Sequence, residues 1–288
     1  MIRTRYRMGL WHPHEKPMYG VLLNPHHPLA QGLVGCWLFN EGGGNIVYDL
    51  SGHGNHGTLG GGTAGYCPSW VAGKFGSALD FDGDNDYVEI SHDPSIDFGD
   101  GSFTILLWVK GSSNDMDYED RLFCKGTTSG GCGGGKRYEV SFTAPSSSWI
   151  VFTIDDNVTK SYIQRSNSPY LDNNWHQAVF LRDAENNKLK MFRDGKQDGA
   201  AVTDDTGDIS NPCNLYFARR DPSESSPFLK ISLDSVLMYN RALSEEEIWQ
   251  LYTDPFCMFY HPLEAELLYA AAPSAVGTPT LTLLGVGR

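Results

Sequence analysis

No stretch of the 288-residue sequence is apolar for long enough to cross a bilayer, so membrane insertion through a helix is not expected. The first dozen residues are basic but have no apolar core of the sort a secretory signal needs. Export through such a leader is therefore not expected, which leaves a mature chain, or release by cell lysis or within a virus particle. Cys36, Cys67, Cys124, Cys132, Cys213 and Cys257 include no C-x-x-C spacing, which argues against a structural zinc site. Cys124 and Cys132 flank a glycine-rich loop, where either a local disulfide or free thiols would fit. Cations are scarce too: 22 Lys and Arg against 35 Asp and Glu give a formal charge of −13. Such a chain repels nucleic acid and anionic membranes, leaving cations, neutral glycans and proteins as partners.

The signatures of catalysis are missing as well. Glycan hydrolysis needs two carboxyl groups set on either side of the scissile bond, and an E-x-D-x-E run would place them on one strand face. Here Glu139 stands alone on its strand, and Glu89 has Asp86 nearby but no second Glu. There is no H-E-x-x-H and no nucleophile elbow, so no enzyme is expected.

What is present is punctuation for many short strands: 32 Gly, 12% aromatics and no sustained helical period. Residues 73–90 read as strand, acidic turn and strand, a hairpin in which Leu79 and Phe81 face one way and Asp80 and Asp82 the other. Residues 32–39, 101–110, 137–142, 148–154, 160–164, 174–182, 187–193, 214–218 and 229–240 follow as strands. Asp194 and Gly195 close a further hairpin. Even spacing without helical interruption predicts an all-β fold, an antiparallel β-sandwich. One helix is expected from Ser244 to Tyr252, with a Ser244/Glu247 capping box and an apolar stripe of Leu243, Ile248 and Leu251.

Residues 1–29 read as an extended, proline-rich arm, residues 30–252 as the sandwich with its short helix, and residues 253–288 as a C-terminal arm. No charged residue occurs from Ala270 to Gly287, and Thr280, Leu281, Thr282, Leu283 and Leu284 alternate like a strand in want of a partner. The expectation is a structural or adhesion protein that polymerises through its arms, a homo-oligomeric filament or virion-associated fibre at the virion surface or outside the cell. The alternative is a monomeric, Ca²⁺-dependent carbohydrate-binding module. Trp149, Tyr138, Tyr162 and Tyr170 are candidate sugar platforms, against the ordinary role of strand aromatics as core. Asn157 begins an Asn-Val-Thr glycosylation sequon. Asp49 and Asn55 lie in a loop with three glycines, where carbonyls could turn inward to make an oxygen cage for structural Ca²⁺; a tight turn using both side chains for local hydrogen bonds is the other reading.

Several segments in succession resemble the laminin-G-like, concanavalin A-like jelly-roll family. They are Gly35-Cys-Trp-Leu-Phe-Asn-Glu-Gly-Gly-Gly, Asp49-Leu-Ser-Gly-His-Gly-Asn, Gly73-Lys-Phe-Gly-Ser-Ala-Leu-Asp-Phe-Asp-Gly, Phe103-Thr-Ile-Leu-Leu-Trp-Val, Asn174-Trp-His and Leu233-Asp-Ser-Val-Leu-Met-Tyr. The resemblance implies two curved antiparallel sheets, with Trp37, Trp108 and Trp175 in the core. It also implies that any Ca²⁺ would sit where the early glycine-rich loop meets the last long strand, which adds Asp234 to Asp49 and Asn55, with carbonyls near Gly52 and Glu41.

Overall fold

The computed structural model of the chain describes residues 14–18, 20–115, 120–143, 149–166, 169–223 and 228–260. These form two antiparallel sheets packed face to face. In spatial order the first sheet runs Lys196–Gln197, Lys188–Arg193, His176–Asp183, Phe103–Lys110, Lys230–Tyr239, Ser77–Asp82 and Ser69–Ala72. Leu33–Trp37 also pairs with Lys230–Tyr239, and Val202–Thr203 with Lys188–Arg193. The second sheet runs Lys160–Ser166, Trp149–Asp156, Lys136–Phe142, Asp120–Gly126, Leu215–Phe217, Val88–Ile90, Gly57–Leu59 and Ile46–Val47. The jelly roll expected from the sequence is the fold observed.

Two apolar layers hold it. The inner one, between the sheets, takes alternate residues from both, such as Phe103, Ile105 and Leu107 from one and Tyr138, Val140 and Phe142 from the other. The outer one covers the far face of the first sheet: Leu106, Trp108, Val179 and Leu237 pack beneath Leu29, Ile248, Leu251 and Phe256. The helix Glu245–Thr253 lies in this layer with the predicted capping box, Ser244 Oγ accepting from Glu247 N–H and Glu247 accepting from Ser244 N–H. Trp37 and Trp108 are buried core residues as expected, whereas Trp175 is only partly buried, packed against the edge of the outer layer.

The strands within residues 73–90 are real, but they do not form a hairpin. Ser77–Asp82 belongs to the first sheet and Val88–Ile90 to the second, so the acidic turn carries the chain across the sandwich. A hairpin and such a corner share turn residues and alternation; the partners decide between them. Here Leu79, Phe81, Val88 and Ile90 all enter the shared core, and the turn is held by Asp82 Oδ1 accepting from Asp84 N–H and by Asp86 accepting from Asp82 N–H.

The disulfide joins Cys132 to Cys213, 81 residues apart, rather than to Cys124, which is a buried free thiol. The side chain of Cys124 lies on the strand Asp120–Gly126 beside Glu139, whereas the glycine-rich loop carries Cys132 toward the 213 segment. Residues 20–29 of the N-terminal arm fold back on their own sandwich: Leu23 bridges Phe259, and Tyr260 N–H donates to Leu22 O. Residues 280–284, the candidate donor strand, lie outside the described residues.

Candidate functional site

The loop from Asp49 to Gly57 is built around the Asp49 carboxylate. Oδ1 accepts from Cys36 N–H (2.8 Å) and Ser51 N–H (2.9 Å); Oδ2 accepts from Ser51 Oγ–H (2.7 Å) and Asn55 N–H (3.0 Å). The Asn55 amide nitrogen donates to Val34 O and Ser95 Oγ. Asp234 has a different set of partners, accepting from Phe75 N–H at 2.9 Å and pairing with the Lys16 ammonium, which also donates to Ser77 O. Ca²⁺ needs about six to eight convergent oxygens. Asp49 is instead filled by hydrogen-bond donors, and a lysine already supplies positive charge at Asp234. In this arrangement Asp49, Asn55 and Asp234 do not fit the ion, and the local-turn reading accounts for Asp49 and Asn55.

The strand aromatics separate by burial. Tyr138 is in the inner core and its hydroxyl donates to Ile96 O (3.0 Å), so it has no face to offer a sugar. Tyr170 is likewise buried, donating to Asp198 Oδ2 at 2.8 Å. The period-two alternation of the strand sends Tyr138 inward with Val140 and Phe142. Trp149 and Tyr162 point outward and are 39% and 52% exposed, on adjacent strands of the second sheet. They are separated along the ribbon, Trp149 opposite Ser166 and Tyr162 opposite Thr153, with Val151 and Gln164 paired between them. Asn157 is exposed in the turn between the same two strands.

A concave site lies elsewhere, where the helix meets the turn after Lys188–Arg193. It is a groove of about 450 Å³ lined by Arg193, Asp194, Lys196, Gln197, Asp198, Trp249 and Tyr252. Trp249 is 44% exposed. Its ring lies 5.6 Å from that of Tyr252, which stacks in turn on the core residue Trp108 (5.7 Å, 16° between planes). The exposed indole thus stands on a fixed base. Gly195 makes the close approach possible: its φ is +76°, and a Cβ there would lie 2.7 Å from Trp249 Cε3 and 2.9 Å from Tyr252 Cβ. Asp194 is oriented on the groove wall by Gln177 N–H, donating to Oδ1, and by His176 Nδ1, 2.8 Å from Oδ2; His176 Nε2 faces Asp172. The Lys196 ammonium sits 5.8 Å above the Trp249 ring. Sequence reading missed this site because Trp249 was absorbed into a helix pattern. The available signal was its place one residue off the Ile248–Leu251 stripe, where a large aromatic is not needed for packing.

Glu139, the one strand carboxylate worth weighing as a catalytic acid, is buried between two guanidinium groups, Arg121 Nε at 2.8 Å and Arg137 Nε at 3.2 Å. Burial pushes this carboxyl up, but the two arginines outweigh it and hold it below the ordinary value. A group kept ionised, with both oxygens engaged, cannot protonate a leaving group.

Residues 82–249 match the family described as the concanavalin A-like lectin/glucanases superfamily. The chain belongs to this superfamily. No curated protein matches it. Among solved structures with this jelly roll, the binding domain of Paraclostridial Mosquitocidal Protein 1 is 18% identical with a TM-score of 0.62, covering 80% of this chain and 53% of that one. The binding domain of Botulinum Neurotoxin DC in complex with SialylT is 13% identical (TM-score 0.55), covering 78% and 52%. A structure of botulinum neurotoxin type C, whose cell entry is described as dependent upon interaction with two ganglioside molecules, is 15% identical (TM-score 0.56), covering 78% and 51%. The chain therefore spans about half the length of these structures. At such identities the likeness of this superfamily member to them is one of fold.

Proposed function

We propose that this chain is a non-enzymatic, lectin-like carbohydrate-binding domain that takes its glycan in the groove beside Trp249. The observation that carries this reading is a half-exposed indole, backed by Tyr252 and Trp108, with Asp194, Asp198 and Gln197 arranged around the same concavity. An aromatic face accepts the apolar side of a sugar ring, and fixed carboxylate and amide groups accept and donate to its hydroxyls. The solved structures named with a ganglioside and with SialylT support the class of ligand. The Cys132–Cys213 disulfide supports an extracellular setting, where such bonds persist.

The test is a glycan array followed by titration of the hits by NMR, with Trp249→Ala beside the parent chain. Loss of an anchoring aromatic is expected to weaken binding at least tenfold, on the scale of interfacial hot spots. Unchanged binding in the variant, at unchanged melting temperature, would remove the groove from consideration. Binding that persists in EDTA is expected, since no nominated Ca²⁺ ligand lines the groove. If the melting temperature nevertheless falls in EDTA, a metal ion binds the folded chain outside the groove.

Assembly into a filament or fibre is a second reading, supported by the uncharged alternation of residues 280–284. Sedimentation of the whole chain and of a chain lacking residues 272–288 tests it; a monomer in both cases excludes it.

A further inference from the structure

At one place on the sandwich a buried ammonium meets oxygens from three separate segments. Lys16, its side chain only 3% exposed, pairs with the fully buried Asp234 and donates to Ser77 O at 2.6 Å. Asp234 stands in Lys230–Tyr239 beside a bulge at Ser235 (φ +49°), a feature that re-aims side chains out of the regular alternation. Its Oδ2 accepts from Phe75 N–H, and Gly73 leaves it room, since a Cβ there would lie 2.5 Å from that oxygen. Glu41 brings a second carboxylate close enough to interact with the same ammonium. Its Oε1 accepts from Tyr48 N–H, whereas the buried Oε2 takes no hydrogen bond from any other described residue. Asn40 fixes the chain beside Lys16 by donating to Pro17 O at 2.9 Å. Two carboxylates and a carbonyl thus share one positive charge, a donor set of hard oxygens.

We propose that Lys16 is a tethered cation standing in for the Ca²⁺ that the family resemblance implies near Asp234, and that this site takes a divalent ion only when the N-terminal segment is withdrawn. An ammonium is compact and carries three donors, so it can satisfy Asp234 and Ser77 O together. Attachment to the chain gives it an effective concentration in the millimolar range, against which a free ion must compete. Its neighbours hold it in place: His14 stacks on Phe75, whose N–H binds the same carboxylate. Without Lys16, Asp234 is a buried charge with no cation, and Glu41 beside it adds repulsion. A divalent ion relieves both. On this reading residues 14–17 are a working part of the sandwich, and the metal is dispensable because the chain supplies its equivalent.

The experiment is thermal melting of the full chain and of Lys16→Ala, each in EDTA and in millimolar CaCl₂, with the double variant Lys16→Ala, Asp234→Asn as control. Expected are equal melting temperatures of the parent in both buffers, a lower one for Lys16→Ala in EDTA, and its rise by about 4 °C in CaCl₂. The double variant should not respond. Amine labelling of the parent is a second readout: Lys16 should react about tenfold or more slowly than the exposed Lys74, because reaction waits on local opening, and CaCl₂ should not change this. Lys16→Ala that melts alike in both buffers, or folds in neither, overturns the claim that an ion can replace the ammonium. Stabilisation of the parent by CaCl₂ that Asp234→Asn abolishes, or labelling of Lys16 as fast as Lys74, overturns the claim that Lys16 holds the ion's place.

Discussion

Two buried lysines show how single side chains set the stability of this sandwich. Lys16 and Asp234 form a buried pair, and burial drives the lysine down and the carboxyl up, each partner opposing the shift in the other. Removing one member strands the other. Lys16→Met should cost about 3–5 kcal/mol, and adding Asp234→Asn should recover a substantial part of it, measured by chemical denaturation. Lys125 is fully buried, donating to Asn211 O at 2.6 Å with Asp97 Oδ1 at 3.7 Å. Burial pushes its pKa from 10.5 down to about 8. Between those values the unfolded chain holds a proton that the folded chain has released, so the contribution of Lys125 to stability rises as pH climbs from about 8 toward 10. Urea denaturation across this range should show the rise in the parent chain and its absence in Lys125→Met, each compared at matched pH. Neither residue was legible as special in the sequence, because what sets it apart is burial by segments far away in the chain. Asp49 was partly legible: its loop chemistry was visible, while the choice between cage and turn depended on which donors the fold brought to it.

Among elements, the helix and the turn beside it make the groove only in each other's presence. Gly195, with positive φ, lies flush against Trp249 and Tyr252. Gly195→Ala should therefore cost about 1–3 kcal/mol through backbone strain and also push the indole from its seat, shifting tryptophan emission and weakening glycan binding together. Ser244→Ala, which removes the cap without touching the groove wall, should cost about 1 kcal/mol. Comparing the two separates loss of helix stability from loss of the groove. The strand set and the capped helix were readable because periodicity and capping are local. The pairing of residues 73–90 was not: the sequence specifies alternation and a turn, while sheet membership depends on partners such as Lys230–Tyr239 and Leu215–Phe217, more than a hundred residues away. The groove escaped for the same reason, since the helix and residues 193–198 are brought together only by the outer apolar layer.

For the molecule as a whole, the Cys132–Cys213 bond closes a long loop that includes Lys136–Phe142, Trp149–Asp156 and Lys160–Ser166 of the second sheet and His176–Asp183 and Lys188–Arg193 of the first. Chain-entropy reasoning gives it a worth of about 4.5 kcal/mol. Reduction, or Cys132→Ser with Cys213→Ser, should lower the melting temperature markedly while leaving the Trp249 groove, which contains neither cysteine, able to bind. Joint loss of stability and binding well below the melting point would show that the two regions are coupled.

The bridge from Leu23 to Phe259, closed by the Tyr260 to Leu22 hydrogen bond, brings two segments near the ends of the described chain to one spot on the outer layer. A fold whose entry and exit coincide behaves as a plug-in cassette: it can be spliced into a surface loop of a host protein without prising that loop apart. It could equally be reopened elsewhere, with residue 260 joined by a linker to the segment that carries Lys16 to Asp234, and still close on the same pair of sheets.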